Sequence, residues 1–298
     1  MAECTLLSKT LVSEYNYQLQ EYTGRSKHFL QFKMIFGALV DQKLHDPTYF
    51  VVTAIYFLTI ALLASFVFFQ LPDGTLIGDA ATLQALYLIR QSIMILSVQT
   101  MTTCFSKDRL TILSHHYYGH RFSGFPVFYS RLLVTMPFRW IMTVVCSFII
   151  YPVVGLRNGA NYFLVFLLSQ LVQETVAVSS GMVISALVPN PQMSALGGAV
   201  FLTFNAVFGG QTYNRELVPW GIRWLQFLSI LYYTGVALGR NELDGVHPGE
   251  ALLITRDLQL ISIWAALGAL MGLFAINMVI GPLALNWTSR RTSRFAKS

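Results

Sequence analysis

Apolar residues run along this chain in long continuous stretches rather than in alternation. Tyr49 to Gln70 carries no charge at all, and comparable stretches follow from Ala80 to Phe105, Pro126 to Val154, Ala160 to Val188, Met193 to Gly210 and Leu258 to Leu285. Each approaches or exceeds the ~20 residues with which a helix crosses a ~30 Å hydrocarbon layer. The pattern therefore predicts six transmembrane helices. Barrel strands do not fit it, because they alternate apolar and polar positions over ~10-residue segments.

Two other segments are amphipathic or aromatic rather than uniformly greasy. Within Lys27 to Asp46, the residues Phe29, Phe32, Ile35, Phe36 and Leu39 fall at spacings of three and four, which puts one apolar stripe on a helix with charges opposite. Such a helix lies in the membrane interface and stops at Pro47. The connection from Gln211 to Asp257 contains Trp220, Trp224, Phe227, Tyr232 and Tyr233. Aromatic density of this kind belongs at headgroup level, and it predicts a re-entrant or surface-lying helix before the last span. The expected organisation is an all-α membrane protein, with a cytoplasmic N-terminal segment over 1–26, a transmembrane domain over 27–285 and a basic tail over 286–298.

Composition agrees with the pattern. Of 298 residues, 54% are hydrophobic and 11% charged, less than half of the roughly one quarter that soluble domains carry. The net charge of +6 is spread over juxtamembrane stretches rather than gathered in one basic module, which suits anionic lipid headgroups and excludes nucleic acid. Lys9, Arg25, Lys27, Lys33 and Lys43 precede the first span, Lys107, Arg109 and Arg121 follow the second, and Arg290, Arg291, Arg294 and Lys297 follow the last. The opposite connections hold a smaller number, among them Arg157, Arg215, Arg223 and Arg240. Since cytoplasmic loops hold the excess of Lys and Arg, both termini are expected in the cytoplasm. Cys4, Cys104 and Cys146 fall in no outer loop, so neither a disulfide nor a zinc spacing is expected. The first residues lack the apolar core and cleavage site of a secretory signal.

Charges also fall near the middle of three spans: Arg90 in the second, Arg139 in the third and Glu174 in the fourth. An ion at membrane depth costs at least ~2.5–3.5 kcal/mol and is expected to meet a partner. Glu174 is expected to pair with Arg90 or Arg139, and Gln170 shares its helical face. These four are a candidate polar relay, with helix packing alone as the other reading. No Ser/His/Asp set, paired carboxylates or histidine box lies at this depth, so an intramembrane enzyme is not indicated.

Phe208 to Leu243, FGGQTYNRELVPWGIRWLQFLSILYYTGVALGRNEL, resembles a pattern of F-x-G, then I/V-P-x-W, then W-x-x-x-I/L-S-x-x-x-Y, then N-E, found in the G subfamily of ATP-binding cassette transporters, the white and pleiotropic drug resistance type. Phe105 to Pro137 is similar to that family's E-R-x-x-F-x-R-E helix, with Asp108 and Arg109 in the Glu-Arg places and Ser114 and His115 in the Arg-Glu places. His45-Asp46-Pro47 resembles the R-D-P that closes its elbow helix. The resemblance implies an ABC-2 type exporter membrane domain that pairs, as homo- or heterodimer, with another half-transporter around a path for sterols, other lipids or amphipathic drugs.

By the same resemblance, the path is lined by Ser92, Leu96 and Gln99 and by Leu202, Thr203, Ala206 and Phe208. Gln211 and Thr212 stand where drug exporters place two leucines, so a more polar outer gate is expected. Coupling to the motor is expected through the elbow helix with Asp46 and through the loop helix with Asp108, Arg109 and His115. His115, His116 and His120 have no accompanying Cys or carboxylate, and no metal is expected there. The motor itself requires a G-x-x-x-x-G-K-[ST] loop to hold nucleotide, and none occurs in the sequence. ATP and Mg are thus expected on a nucleotide-binding domain in trans or on a missing N-terminal part, with no cofactor in this chain. A truncated, non-transporting membrane scaffold that regulates full-length relatives is the alternative. The sequon Asn286-Trp287-Thr288 is expected at the cytoplasmic membrane edge, out of reach of glycosylation.

Overall fold

The computed structural model describes residues 26–45, 47–71, 75–106, 124–209, 219–245, 249–256 and 258–295. No strand occurs among them. Helix α1 spans Ser26–His45, α2 Pro47–Val67, α3 Leu76–Thr102, α4 Gly124–Val154, α5 Ala160–Leu187, α6 Pro191–Phe208, α7 Ile230–Leu243, α8 Gly249–Thr255 and α9 Ile263–Phe295, and a 3-10 helix over Trp220–Leu228 precedes α7.

Local chemistry sets several of these boundaries. Thr75 caps α3 by accepting a hydrogen bond from Gly78 N at 3.1 Å, and Asn190 caps α6 by accepting from Gln192 N at 2.9 Å, with Pro191 at the first helical position. Gly155, with φ of +78°, turns the chain out of α4, a backbone region that suits glycine. Gln70 N and Leu71 N donate to the carbonyls of Val153 and Val154, so the end of α2 is tied to the α4–α5 turn.

Among the described residues, five helices are long and apolar enough to cross a membrane: Pro47–Val67, Leu76–Ser106, Gly124–Val154, Ala160–Leu187 and Ile263–Thr288. The protein is an integral multi-pass membrane protein. The remaining stretch expected to span, α6, has 18 residues, among them Gln192 and Asn205; its length of about 27 Å falls just short of the hydrocarbon thickness.

Helix α5 occupies the centre, touching α3, α4, α6, α7 and α9, while α1 packs along α4 and α2 lies against α3 and α4. The most apolar stretches of α3 and α5 are each 56% buried, against 17% for α9, so α9 presents most of its apolar surface outward, as a lipid-facing helix does.

Of the two forms expected for the segment before the last span, re-entrant or surface-lying, α7 takes the inserted one: thirteen of its residues, from Ile230 to Leu243, are buried among α3, α5 and α9. Small residues permit that insertion. A methyl group added at Gly239 would already lie 3.2 Å from Leu258 and 3.3 Å from Leu83. The last helix runs from Ile263 to Phe295, so the Arg-rich stretch after the span continues it, as helix-compatible residues allow. Asn286 of the sequon faces inward, its Oδ1 accepting from Gly124 N at 2.6 Å.

Candidate functional site

The centre of the bundle is polar. Arg139 and Glu174, both fully buried, form an ion pair with Nη1 3.0 Å from Oε1. Ser97 Oγ donates to the second carboxylate oxygen, Oε2, at 2.5 Å and lies 3.1 Å from Arg139 Nη1. Arg139 Nη2 donates to Thr100 Oγ1 and Nε to Tyr49 OH, the latter at 3.3 Å. A buried pair holds its charge only when its remaining donors and acceptors are met, and here α2, α3, α4 and α5 each contribute a partner. Pro137, just ahead of Arg139 within α4, removes a backbone donor, a change tolerated in membrane helices where neighbours compensate.

The network continues toward α1. Lys43 Nζ lies 4.2 Å over the Tyr49 ring and donates to Thr135 Oγ1 at 3.0 Å. Burial first, then the positive charges of Arg131 and Arg139, lower the Lys43 ammonium from its ordinary value to about 7.

Arg90 does not join this group. Its carbonyl accepts from Gln173 Nε2 at 2.6 Å, its Nη2 donates to Gly209 O at 3.4 Å, and its guanidinium lies 5.2 Å from the Tyr87 ring centre. Gln170 is also apart: it is fully buried, and neither of its amide atoms has a partner among the described residues. Of the four candidate relay residues, the fold therefore joins Arg139 and Glu174 and leaves Arg90 and Gln170 elsewhere.

Between α3 and α6 lies a cleft of about 470 Å³ lined by Tyr87, Gln91, Ile95, Gln99, Ala199, Leu202, Thr203, Ala206 and Val207. Its α3 wall is the i, i+4 row from Tyr87 to Gln99, which is one helical face. Gln99, Leu202, Thr203 and Ala206 of the expected path line it; Ser92, Leu96 and Phe208 do not. The main-chain carbonyl of Ser92 accepts from Tyr56 OH at 3.4 Å, Leu96 packs in the cluster with Phe57 and Ala61, and the Phe208 ring lies tilted against Phe204 with ring centres 4.9 Å apart. Gln211, Thr212, Asp46, Asp108, Arg109 and His115 lie outside the described residues.

The end of α7 carries a contact that the sequence pattern contained without explaining. Glu242 Oε2 accepts from Arg157 N at 2.8 Å and Asn241 Nδ2 donates to Tyr162 O at 3.0 Å, so the N-E pair fastens α7 to the α4–α5 turn. Among the described residues no group of three His, Cys, Asp or Glu side chains is placed to hold a metal.

Comparison with known proteins matches residues 30–243 to the family described as ABC-2 type transporter. The protein white of Drosophila melanogaster is 25% identical over 249 residues, 83% of this chain and 36% of that protein. The protein white of Ceratitis capitata is 25% identical over 231 residues, 77% of this chain and 34% of that protein. The broad substrate specificity ATP-binding cassette transporter ABCG2 of Bos taurus is 27% identical over 145 residues, 48% of this chain and 22% of that protein. The matched part thus spans about a third of the two white proteins.

Proposed function

The chain belongs to the ABC-2 type transporter family, and we propose that it forms the translocation path of an ATP-driven exporter for a lipid, sterol or other amphipathic small molecule. ATP and Mg would be held by a nucleotide-binding domain in trans or N-terminal to these residues, and a second half-transporter, identical or related, would complete the path. In this reading α6 is a sixth crossing and both termini are cytoplasmic, following the excess of Lys and Arg on that side.

The observation that carries the proposal is the α3/α6 cleft. Its volume falls within the ~300–1,000 Å³ of small-molecule sites. Ile95, Ala199, Leu202, Ala206 and Val207 give it an apolar body, and Tyr87, Gln91, Gln99 and Thr203 give it a polar edge. That combination suits an amphipathic cargo and not a free ion.

The Arg139–Glu174–Ser97 network serves as the relay. It reaches the α1 surface through Tyr49 and Lys43, and α1 is one of the surfaces on which a motor would act, together with the segment that carries Asp108, Arg109 and His115. Gln211 and Thr212 follow the Gly209 end of the cleft and are assigned to its outer gate.

The test is cargo-stimulated ATP hydrolysis by the chain assembled with its nucleotide-binding partner in lipid. Ala206→Trp should fill the cleft and abolish stimulation while basal hydrolysis persists. Stimulation that survives both Ala206→Trp and Leu202→Trp removes the cleft as the cargo site.

A further inference from the structure

We propose that Arg90 is a positioning residue, a latch that holds the Gly209 end of α6 over the cleft, and that Gly235 of α7 is the notch that admits its guanidinium. The proposal rests on the reading of the cleft as the cargo site, but its test does not.

Helix α6 is held by a narrow stripe, with only Ser194, Gly198, Leu202 and Asn205 buried along it. At its Pro191 end the attachment to α3 is direct. Ser194 Oγ donates to Thr102 O, and Gly198 lies so close that an added methyl would come within 2.5 Å of Thr102 Cγ2. At the other end one tie runs to α7 and one to α3 itself, through the Arg90 side chain. Asn205 Oδ1 accepts from Ile230 N at 2.8 Å, and Gly209 O accepts from Arg90 Nη2 at 3.4 Å. The cleft lies between these two attachments, so whatever fixes the Gly209 end also fixes the width of the cleft there.

A guanidinium suits that place. The last carbonyls of a helix have no partner within it and carry the negative end of its dipole, which a cation stabilises. The 3.4 Å contact is long for a hydrogen bond, as befits an attachment that must release. Arg90 is anchored on the other side, because its carbonyl accepts from Gln173 Nε2 of α5 at 2.6 Å. Helix α3 therefore stays with α5, and α6 is the member free to move. Tyr87 lines the cleft and its ring lies 5.2 Å from the Arg90 guanidinium, so a molecule pressing on Tyr87 also presses on the latch.

Gly235 is the second, independent sign that this position is specified. A methyl group there would overlap Arg90 Nη1 outright and lie 2.8 Å from Cζ and 3.0 Å from Nη2. No side chain fits while Arg90 holds its pose. Gly235→Ala is therefore a way to displace the guanidinium without removing its charge.

The experiment is hydrogen-exchange mass spectrometry on the full chain in lipid nanodiscs, without cargo or nucleotide. Arg90→Leu and Gly235→Ala should each speed exchange of the amides of residues 204–209 by roughly tenfold or more, leave residues 191–198 unchanged, and Arg90→Lys should fall between. Unchanged exchange at 204–209 in Gly235→Ala, or a uniform rise through α3, α5 and α6, overturns the latch and makes Arg90 a general packing residue. Should Arg90→Leu fail to fold, the Gly235→Ala and Arg90→Lys pair gives the same decision. Because no cargo is present, failure here leaves the cleft reading standing, and failure of cargo stimulation under Ala206→Trp leaves the latch standing.

Discussion

Arg90 and Arg139 are both withdrawn from the surface, 2% and 0% exposed, and both sit within long apolar helices, yet the bundle treats them in opposite ways. Arg139 is met by a carboxylate, two hydroxyls and a phenol drawn from α2, α3 and α5. The contacts of Arg90 include a main-chain carbonyl at the end of α6, the face of a tyrosine and a glycine notch. The first arrangement cross-links helices through charge and cannot slip without stranding an ion in a low dielectric. The second holds one helix end by a stretched contact to its main chain. The difference divides the molecule into a fixed block of α3, α4 and α5 and a wall, α6, that is fastened more lightly and faces the cleft.

The strongest way to break this division is to remove the carboxylate. Glu174→Gln should lower stability by ~3–5 kcal/mol, because it leaves Arg139 charged and unmatched, whereas the double variant Arg139→Met with Glu174→Leu should recover much of that loss. Denaturant unfolding in detergent checks both. An equal loss in the double variant would show that the pair is not acting as a pair. A smaller effect is expected where α6 meets α3. Gly198→Ala forces a methyl into Thr102 and should cost ~1–3 kcal/mol, read by the same unfolding, with cargo affinity weakened through a displaced cleft wall.

Gln170 sharpens the comparison by its sign. It lies one turn from Glu174, but its amide is buried without a partner among the described residues, and an unmatched buried polar group costs ~1–3 kcal/mol. Gln170→Leu should leave stability unchanged or raise it, in contrast with Glu174→Gln.

The smallest effect concerns pH. Lys43 has a folded value of about 7 against an ordinary 10.5, so between these limits the folded state sheds a proton that the unfolded state keeps. Stability should rise as pH increases through that window and show no contribution from this group's titration below it. Lys43→Met should flatten the slope, as thermal midpoints at a series of pH values will show.

The helices were legible in the sequence because an apolar run long enough to cross a membrane is rare in chains that do not cross one. Their azimuths were not. A helix that is apolar all round carries no contrast between faces, so Ser92 and Leu96 come to the path from the family resemblance alone, and the α3 wall of the cleft is the row of Tyr87, Gln91, Ile95 and Gln99. Charge was the better guide. Glu174 had to meet a cation, and depth along the chain narrowed the choice to Arg90 or Arg139, but only the packing of α3 against α5 could decide between them. Ser97, Thr100 and Tyr49 gave no signal, since single hydroxyls are common in membrane helices and bond their own backbone. The aromatic run before the last span was legible as a re-entrant or surface-lying helix, whereas the choice between the two depended on Gly235 and Gly239, whose role emerges only once Arg90 and Leu83 are placed beside them.

Cysteine accessibility along α6 tests the central claim most directly. In a Cys4→Ser background assembled in lipid, single cysteines at Ala199, Leu202, Thr203 and Ala206 should react with a water-soluble thiol reagent and be protected by an amphipathic cargo. Cysteines at the outward-facing Leu196 and Val200 should react slowly and show no protection. Equal reactivity on both faces, or protection at Val200 and not at Thr203, would contradict a cargo path between α3 and α6.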